Sequence, residues 1–359
     1  MNYYKNLNPE IKEYFHILSP TIPDWLWDYV NTEEMQRIGK ISMNCGADYT
    51  NLFQVKYFYS NLAHSIGVAL IIWNFTKDKK QTLAGLFHDI ATPTFKHCID
   101  FMNGDYLTQE STEDRTRAII ENSTEIMELL KRDGITIEEV EDYKIYPIAD
   151  NNTPRLASDR FEYNFSAGLT LFPIWNLEEI KEVYSHITIL KNEDGQDELG
   201  FDDLKTAEFY IHKVSKLWPI WISDKDRTMM QFYADACKMM QEQGELTIDD
   251  LYEYSEKEII DRILHSKNKE LIQAFKKFMS LTEVSFHSSF IPDVYCVNVP
   301  GKRRYIVPLV KDKDKTLRIT SCSEQTKKEI EEYLAIPQHS FTSFDIPMPS
   351  VTQKHLIKK

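Results

Sequence analysis

Two histidines and two aspartates are the residues of this sequence whose types could together bind a metal ion: His64, the adjacent pair His88-Asp89, and Asp159. Two imidazoles and two carboxylates suit one divalent ion, namely Mn, Fe, Co, Ni, Zn or Mg. On an octahedral ion, four protein ligands leave two positions for water and a phosphate oxygen. Such an ion lowers the pKa of its water and polarises phosphorus. The set therefore predicts metal-dependent hydrolysis of a phosphate ester or anhydride.

Each of these residues alone is weak evidence, because His-Asp pairs are common and a lone histidine is more often hydrogen-bonded inside a core. The order of His64, then His88-Asp89, then Asp159, each in an apolar stretch, is more specific. Neighbouring residues on a helix point about 100° apart. We therefore expect His88 and Asp89 to share an ion only near a helix end or with help from other segments.

Helices are expected to position these residues. Apolar side chains recur every three or four positions over 61–73 and 82–90, the stretches that carry the two histidines. Thr153-Pro154 has the features of a helix start and predicts a helix that runs through Asp159. Ser255 begins a capping box, which predicts a further helix. Helical patterns of this kind continue to about residue 280.

The pattern changes after Leu281. Runs rich in β-forming residues occupy 294–299, 304–310 and 317–320, and a helix is expected from Ser323 to Leu334. We expect β-type runs only in this C-terminal part. The predicted fold is mainly α, with a helical core and a small C-terminal α/β appendage. The predicted parts are a metal-binding helical core over 1–190, a helical extension over 191–280 and the appendage over 281–359.

Composition limits the function further. The chain has 359 residues and a net charge of −14, so a nucleic acid is an unlikely partner. Its five cysteines include no CxxC pair, which favours a reduced cytoplasm and no disulfide framework. The N-terminus lacks the pattern of a signal peptide. The uncharged run 57–76 contains several polar residues, so we interpret it as a buried helix rather than a membrane span.

Five short motifs carry a family resemblance. They are MQRIGKI at 35–41, AHSIGV at 63–68, GLFHDI at 85–90, FKH at 95–97 and ASDRFEY at 157–163. Together they resemble the HD-domain superfamily of metal-dependent phosphohydrolases, and most of all its bacterial deoxynucleoside-triphosphate triphosphohydrolase-like branch. The run RYIVPLV at 304–310 also looks like the C-terminal part of bacterial members.

The resemblance implies an all-helical catalytic core in which His64, His88, Asp89 and Asp159 bind the metal. It also implies a small phosphorylated substrate, with nucleotides as the leading class. Members of the family often form oligomers, so a homo-oligomer is expected by analogy.

Five further residues are candidates for contact with that substrate. His97 is a candidate proton donor, because an imidazole titrates near neutral pH, and Glu113 is a candidate for acid-base or charge functions. Arg37 is expected to hold a phosphate through its bidentate fork, Lys96 to supply charge, and Tyr163 to stack on or hydrogen-bond the ligand. The alternatives are a cap at a helix end for His97, a surface ion pair for Arg37 and core packing for Tyr163.

Four positions depart from the family pattern, and they leave two functions open. Thr92 stands where members of the family carry a histidine or a glutamate, and Thr112 aligns with a second histidine. Asn61 replaces an arginine, and Ala167 stands where an aspartate that contacts ribose is expected. Threonine cannot donate a proton near neutral pH as an imidazole or carboxyl does. The chain is therefore either a phosphohydrolase with a different substrate and weakened activity, or a degenerate member that binds a nucleotide or phosphorylated ligand as a regulator.

Overall fold

The computed structural model of the chain describes residues 3–313 and 315–348. Helices form most of its regular structure. In chain order they are α1 (Tyr3–Asn6), α2 (Pro9–Leu18), α3 (Asp24–Val30), α4 (Glu33–Ile38), α5 (Asn61–Thr76), α6 (Lys79–Phe87), α7 (His97–Asn103), α8 (Thr116–Asn122), α9 (Thr124–Asp133), α10 (Ser158–Thr170), α11 (Leu177–Ser185), α12 (Leu204–Val214), α13 (Asp224–Glu242), α14 (Asp250–Glu253), α15 (Glu256–Leu264), α16 (Lys269–Ser280) and α17 (Glu324–Leu334).

Strands form two small sheets. They are β1 (Ile187–Lys191), β2 (Asp197–Phe201), β3 (Ser285–His287), β4 (Tyr295–Val297), β5 (Leu309–Asp312), β6 (Lys315–Arg318) and β7 (Phe341–Phe344). The first sheet has the order β1-β2-β5-β6, in which β2 and β5 are parallel and the other pairs antiparallel. The second has the order β3-β7-β4 and is antiparallel. The prediction of a mainly α fold with small C-terminal strands is confirmed.

The expectation that strands occur only after residue 280 is wrong. The hairpin of β1 and β2 lies within 187–201, and β2 continues the sheet to β5 of the C-terminal part. The signal was present in the sequence: β1 contains the β-branched run Ile-Thr-Ile, and Gly195 with φ +75° lies in the turn that follows. The C-terminal strands therefore extend a sheet that begins before α12.

Apolar packing supports the helix that carries His64. Twelve residues of α5 are buried, and α5 packs against α6 and α10. This bears out the interpretation of the uncharged run as a buried helix, and no helix in the described part of the chain has the length and apolar character needed to cross a bilayer. The capping box at Ser255 is also confirmed. The helix expected from Thr153 instead begins at Ser158.

Residues of the C-terminal part pack into both large hydrophobic clusters. Val310 and Ile330 belong to the cluster around α5 and α6, whereas Tyr295 and Phe344 join the cluster around α7 and α13. The division into 1–190, 191–280 and 281–359 stays a prediction, and the clusters do not follow its boundaries. Residues 1–2, 314 and 349–359 of those parts lie outside the described residues. All five cysteines are free thiols.

Candidate metal centre

The two histidines of the predicted metal set face each other. His64 lies in the first turn of α5, His88 directly follows α6, and their Nε2 atoms are 3.2 Å apart. The Nδ1 of His88 donates to the carbonyl oxygen of Gly85 at 2.7 Å, and the Nδ1 of His64 donates to the Glu162 carboxylate. Because acceptors hold both Nδ1 protons, both Nε2 atoms face the same space, where they can bind an ion once the Nε2 proton of His64 is lost.

Both aspartates lie beside these nitrogen atoms. Asp89 Oδ2 is 3.6 Å from Nε2 of His88 and 3.9 Å from Nε2 of His64. Asp159 Oδ1, from the first turn of α10, is 3.1 Å from Nε2 of His64 and 3.9 Å from Nε2 of His88. One ligand atom each from His64, His88 and Asp89 lie within 4.8 Å of one another. The structure thus brings the four residues together, and two imidazoles with two carboxylates form a donor set that fits a divalent cation.

The electrostatics of this cluster favour positive charge at its centre. Burial by itself would lower the pKa of His64, but the carboxylates of Glu162 and Asp159 outweigh it and raise that pKa to about 9. Burial would raise the pKa of Asp89, yet Lys96 and the two histidines hold it well below its usual range. The pKa of Asp159 is likewise lowered by His64 and His88 against the effect of burial. A bound cation would find both carboxylates ionised.

Glu162 is a site residue that the sequence analysis missed. Its carboxylate is fully buried and accepts hydrogen bonds from Tyr59 at 2.7 Å, Tyr14 at 3.2 Å and Ser166 at 3.1 Å, besides the one from His64. A carboxylate that fixes the outer nitrogen of a ligating histidine sets its tautomer and orientation. The signal for it was the spacing, because Glu162 follows Asp159 by three positions on α10 and so lies on the same face.

Gly67 makes room for this carboxylate. A Cβ atom at position 67 would lie 2.7 Å from both Cγ and Oε1 of Glu162, closer than real contacts allow. We therefore expect Gly67→Ala to lower the free energy of unfolding by about 1–3 kcal/mol, because the buried carboxylate has to move. Denaturant titration measures this loss. The double variant Gly67→Ala/Glu162→Asp, in which the acidic side chain is shorter, should recover part of the lost stability. An unchanged stability of Gly67→Ala would contradict this packing.

Lys96, predicted to contact substrate, is buried at the edge of the cluster. Its Nζ lies 2.9 Å from Asp89 Oδ2 and also donates to Oδ1 of Asn61. Lys96 has a φ of +46°, in the left-handed region that non-glycine residues rarely adopt, and such backbone persists only where the surroundings hold it. The ammonium group of Lys96 offsets the charge of Asp89, a predicted metal ligand, and Lys96 also lines the cavity described below.

His97, the predicted proton donor, is held by two partners. Its Nδ1 lies 2.9 Å from Oδ2 of Asp100, and its Nε2 lies 3.3 Å from Nη2 of Arg304. A guanidinium only donates, so Nε2 accepts and Nδ1 carries the proton. Burial lowers the pKa of His97, and the Arg304 charge acts in the same direction, although Asp100 opposes both. In this arrangement Nε2 has no proton to give, and the role of His97 as a proton donor stays a prediction.

Arg37, predicted to hold a phosphate, contacts backbone in this structure. Its guanidinium donates to the carbonyl oxygens of Thr92 at 2.9 Å and Ile90 at 2.7 Å, and Arg37 is absent from the described residues that line the cavity. Burial lowers its pKa to about 10. Both ends of the fork that was expected to hold a phosphate are thus occupied by backbone. Arg37 instead supports the loop that follows the His-Asp pair.

A cavity of about 880 Å³ opens in front of the four predicted ligands. This volume is within the range of small-molecule binding sites. His64, His88, Asp89 and Asp159 all line it. Tyr163 also lines it, with its ring 5.3 Å from that of Trp221 in an edge-to-face arrangement. The structure therefore places Tyr163 where a ligand contact is possible, although packing against Trp221 occupies part of the ring.

The positions that depart from the family pattern lie around the same site. Ala167 lines the large cavity, whereas Thr92 and Thr112 line a second cavity of about 30 Å³ beside Asp89. Thr92 Oγ1 accepts a hydrogen bond from Nδ2 of Asn61 at 3.1 Å. The side chain of Glu113, the second predicted catalytic residue, lies outside the described residues.

Comparisons with known proteins give distant relatives. No model of a protein family matches the chain. The uncharacterized protein YdhJ of Bacillus subtilis is 24% identical over 307 residues, which cover 84% of this chain and 89% of that protein. The metal-dependent phosphohydrolase cns2 of Cordyceps militaris is 23% identical over 138 residues, which cover 38% of this chain and 39% of that protein.

Solved structures share the fold. A hypothetical protein from Aquifex aeolicus superposes with a TM-score of 0.62 at 16% identity, over 90% of this chain and 93% of the other. A phosphohydrolase from Bacteroides thetaiotaomicron superposes with a TM-score of 0.57 at 13% identity, over 90% and 96%. At such identities the likeness shows the fold alone. Two of these four proteins are named phosphohydrolases, and none of the four names refers to deoxynucleotides.

Proposed function

We propose that the chain is a metal-dependent phosphohydrolase of the HD type, with His64, His88, Asp89 and Asp159 as ligands of one divalent ion. The observation that carries the proposal is the convergence of two imidazole Nε2 atoms and two carboxylates at the wall of a ligand-sized cavity. A bound divalent ion supplies activated water and polarises the phosphorus atom. The two relatives named phosphohydrolases support the same class of activity.

The protein's own residues would orient and balance this site. Gly85 and Glu162 hold the Nδ1 protons of His88 and His64, so that both Nε2 atoms face the ion, which would displace the Nε2 proton of His64. Lys96 offsets the negative charge of Asp89 and adds positive charge to the cavity wall. The buried position of His64 keeps its ring away from bulk water.

The proposed substrate is a nucleotide or another small phosphate ester or anhydride. Tyr163 and Trp221 offer an aromatic wall against which a planar base can pack. Triphosphohydrolase action on deoxynucleotides is the finer hypothesis that the sequence motifs raise. The identity of the metal, a cytoplasmic location and a homo-oligomeric state stay predictions.

One observation favours the second hypothesis, a protein that binds a phosphorylated ligand with little turnover. Nε2 of His97 accepts from Arg304, and Thr92 stands where the family that the motifs resemble has an acid-base residue, so neither position offers a proton donor. Loss of one general acid typically slows a reaction by about 10²–10⁴-fold, which metal-assisted hydrolysis can survive.

A screen for phosphate release separates the two functions. The metal-free protein is reloaded with Mn or Mg and incubated with mono-, di- and triphosphate esters of nucleosides and with simple phosphate esters. We expect metal-dependent release of phosphate, pyrophosphate or tripolyphosphate that a chelator abolishes. Metal-dependent binding without product over several hours would instead support the regulator. If no phosphate compound is bound and none is hydrolysed, both proposed functions are contradicted.

A further inference from the structure

Arg304 brings a guanidinium group from the C-terminal part of the chain into the cavity of the proposed metal centre. It lies in the chain segment between β4 and β5, far in sequence from the other residues of the site, and it lines the same cavity as His64 and Asp159. It is also close enough to affect the pKa values of Tyr163 and His97, which line that cavity too. The C-terminal part of the chain thus contributes to the site.

The guanidinium of Arg304 is oriented by the protein through one nitrogen atom. Its Nη2 donates to Oε1 of Gln109 at 2.5 Å and to Nε2 of His97 at 3.3 Å, and His97 is held in turn by Asp100. Among the described residues, Nε and Nη1 of Arg304 have no hydrogen-bond partner. Three N–H groups of a fixed planar fork therefore remain available, a geometry that matches two phosphate oxygen atoms.

Other cationic side chains of the cavity are already engaged. Lys96 pairs with Asp89, Arg160 with Asp150, Arg155 with Asp194 and Lys144 with Glu110. The neighbouring Arg303 donates to the carbonyl oxygens of Tyr333 and Ile336, and Lys302 donates to that of Thr108. Arg304 differs from Arg303, because both of its guanidinium hydrogen bonds come from Nη2 and its Nε–Nη1 edge has no partner among the described residues.

Asp226, from α13, is the carboxylate of the cavity wall that interacts electrostatically with Arg304. No ion pair within 4.0 Å joins these two described residues. Burial raises the pKa of Asp226 to about 7, although the charge of Arg304 acts against this rise. At neutral pH this carboxylate therefore offsets the guanidinium charge only in part.

We infer that Arg304 is a specificity-determining residue that binds a second phosphate group of the substrate, apart from the phosphoryl group at the metal centre. The inference rests on the proposed function and narrows its substrate class to molecules with at least two phosphate groups, joined in a chain or carried on separate oxygen atoms. His97 and Gln109 then act as positioning residues for Arg304.

Binding of two inorganic probes tests this inference on the full chain loaded with metal. Calorimetric titration compares tripolyphosphate with orthophosphate for the wild type, Arg304→Gln and Arg304→Lys. Arg117→Gln is the matched control, since it removes the same side chain from an exposed ion-pair network on α8. Arg304→Gln removes the charged hydrogen bonds to the second phosphate, so we expect it to weaken tripolyphosphate binding by about 10–100-fold. The loss in Arg304→Lys should be smaller.

Orthophosphate binding at the metal should change by less than about threefold in both variants, and Arg117→Gln should match the wild type for both probes. Thermal melting of each variant establishes that it is folded. If Arg304→Gln does not fold, Arg304→Lys carries the test, because it keeps the charge and loses the fork. Equal tripolyphosphate affinity of a folded Arg304 variant and the wild type would overturn the inference alone. Absence of metal-dependent orthophosphate binding in the wild type would overturn the proposed function, and the inference with it.

Discussion

Replacement of Asp159 by asparagine is expected to lower metal-dependent phosphate release by at least about 10³-fold. Asp159 lies on α10, whereas His64 lies on α5 and His88 directly follows α6. The Oδ1 atom of Asp159 is 3.1 Å from Nε2 of His64. An amide removes the negative charge while it keeps nearly the same shape, so the site loses attraction for a cation without a large change in packing.

Initial rates at saturating substrate and a fixed metal concentration measure this effect. Asp197→Asn is the control, because Asp197 lies on β2 in an exposed pair with Lys191. The control should keep its rate within about twofold, as expected for an exposed ion pair. Retention of more than a tenth of the wild-type rate by Asp159→Asn would remove Asp159 from the proposed ligand set.

Replacement of Glu162 by glutamine is expected to weaken metal binding by about 10–100-fold, although Glu162 is not itself a proposed ligand. The carboxylate accepts the Nδ1 proton of His64 and two tyrosine hydroxyl groups in a fully buried position. Glutamine offers one acceptor oxygen in place of two and no charge, so the ring of His64 is held less firmly and its Nε2 becomes a poorer ligand.

Titration of activity against metal concentration distinguishes this role from a general loss of structure. We expect the rate of Glu162→Gln to approach that of the wild type at high metal concentration, because the missing group orients a ligand and does not contact substrate. Glu178→Gln, at an exposed position in the first turn of α11, should show the wild-type titration. A reduced rate that no metal concentration restores would indicate a different role for Glu162.

Sequence periodicity predicted the helices of the site well. The apolar spacing over 61–73 and 82–90 corresponds to α5 and α6, and His88 directly follows the last residue of α6. The expectation that neighbouring His88 and Asp89 share a centre only near a helix end therefore agrees with the geometry. Such predictions succeed because burial of an apolar face dictates helical spacing locally.

Contacts between distant segments were harder to predict. The bond between Glu162 and His64 depends on α10 packing against α5, and the fork of Arg37 is used by the backbone of a loop rather than by a phosphate. Arg304 lies about 200 positions from His97 in the sequence, and its place beside that residue becomes visible only in three dimensions. These residue roles follow from tertiary packing, which local patterns do not encode.

Metal content is the most direct test of the central claim that one divalent ion joins His64 and His88 to the two aspartates. The protein is stripped with a chelator, reloaded, separated from free metal and analysed for metal per chain. We predict one ion per chain for the wild type and for the control His186→Ala, an imidazole paired with Asp202 away from the cavity. His64→Ala and His88→Ala should each retain no stoichiometric metal. Full metal content in either of these two variants would contradict the account.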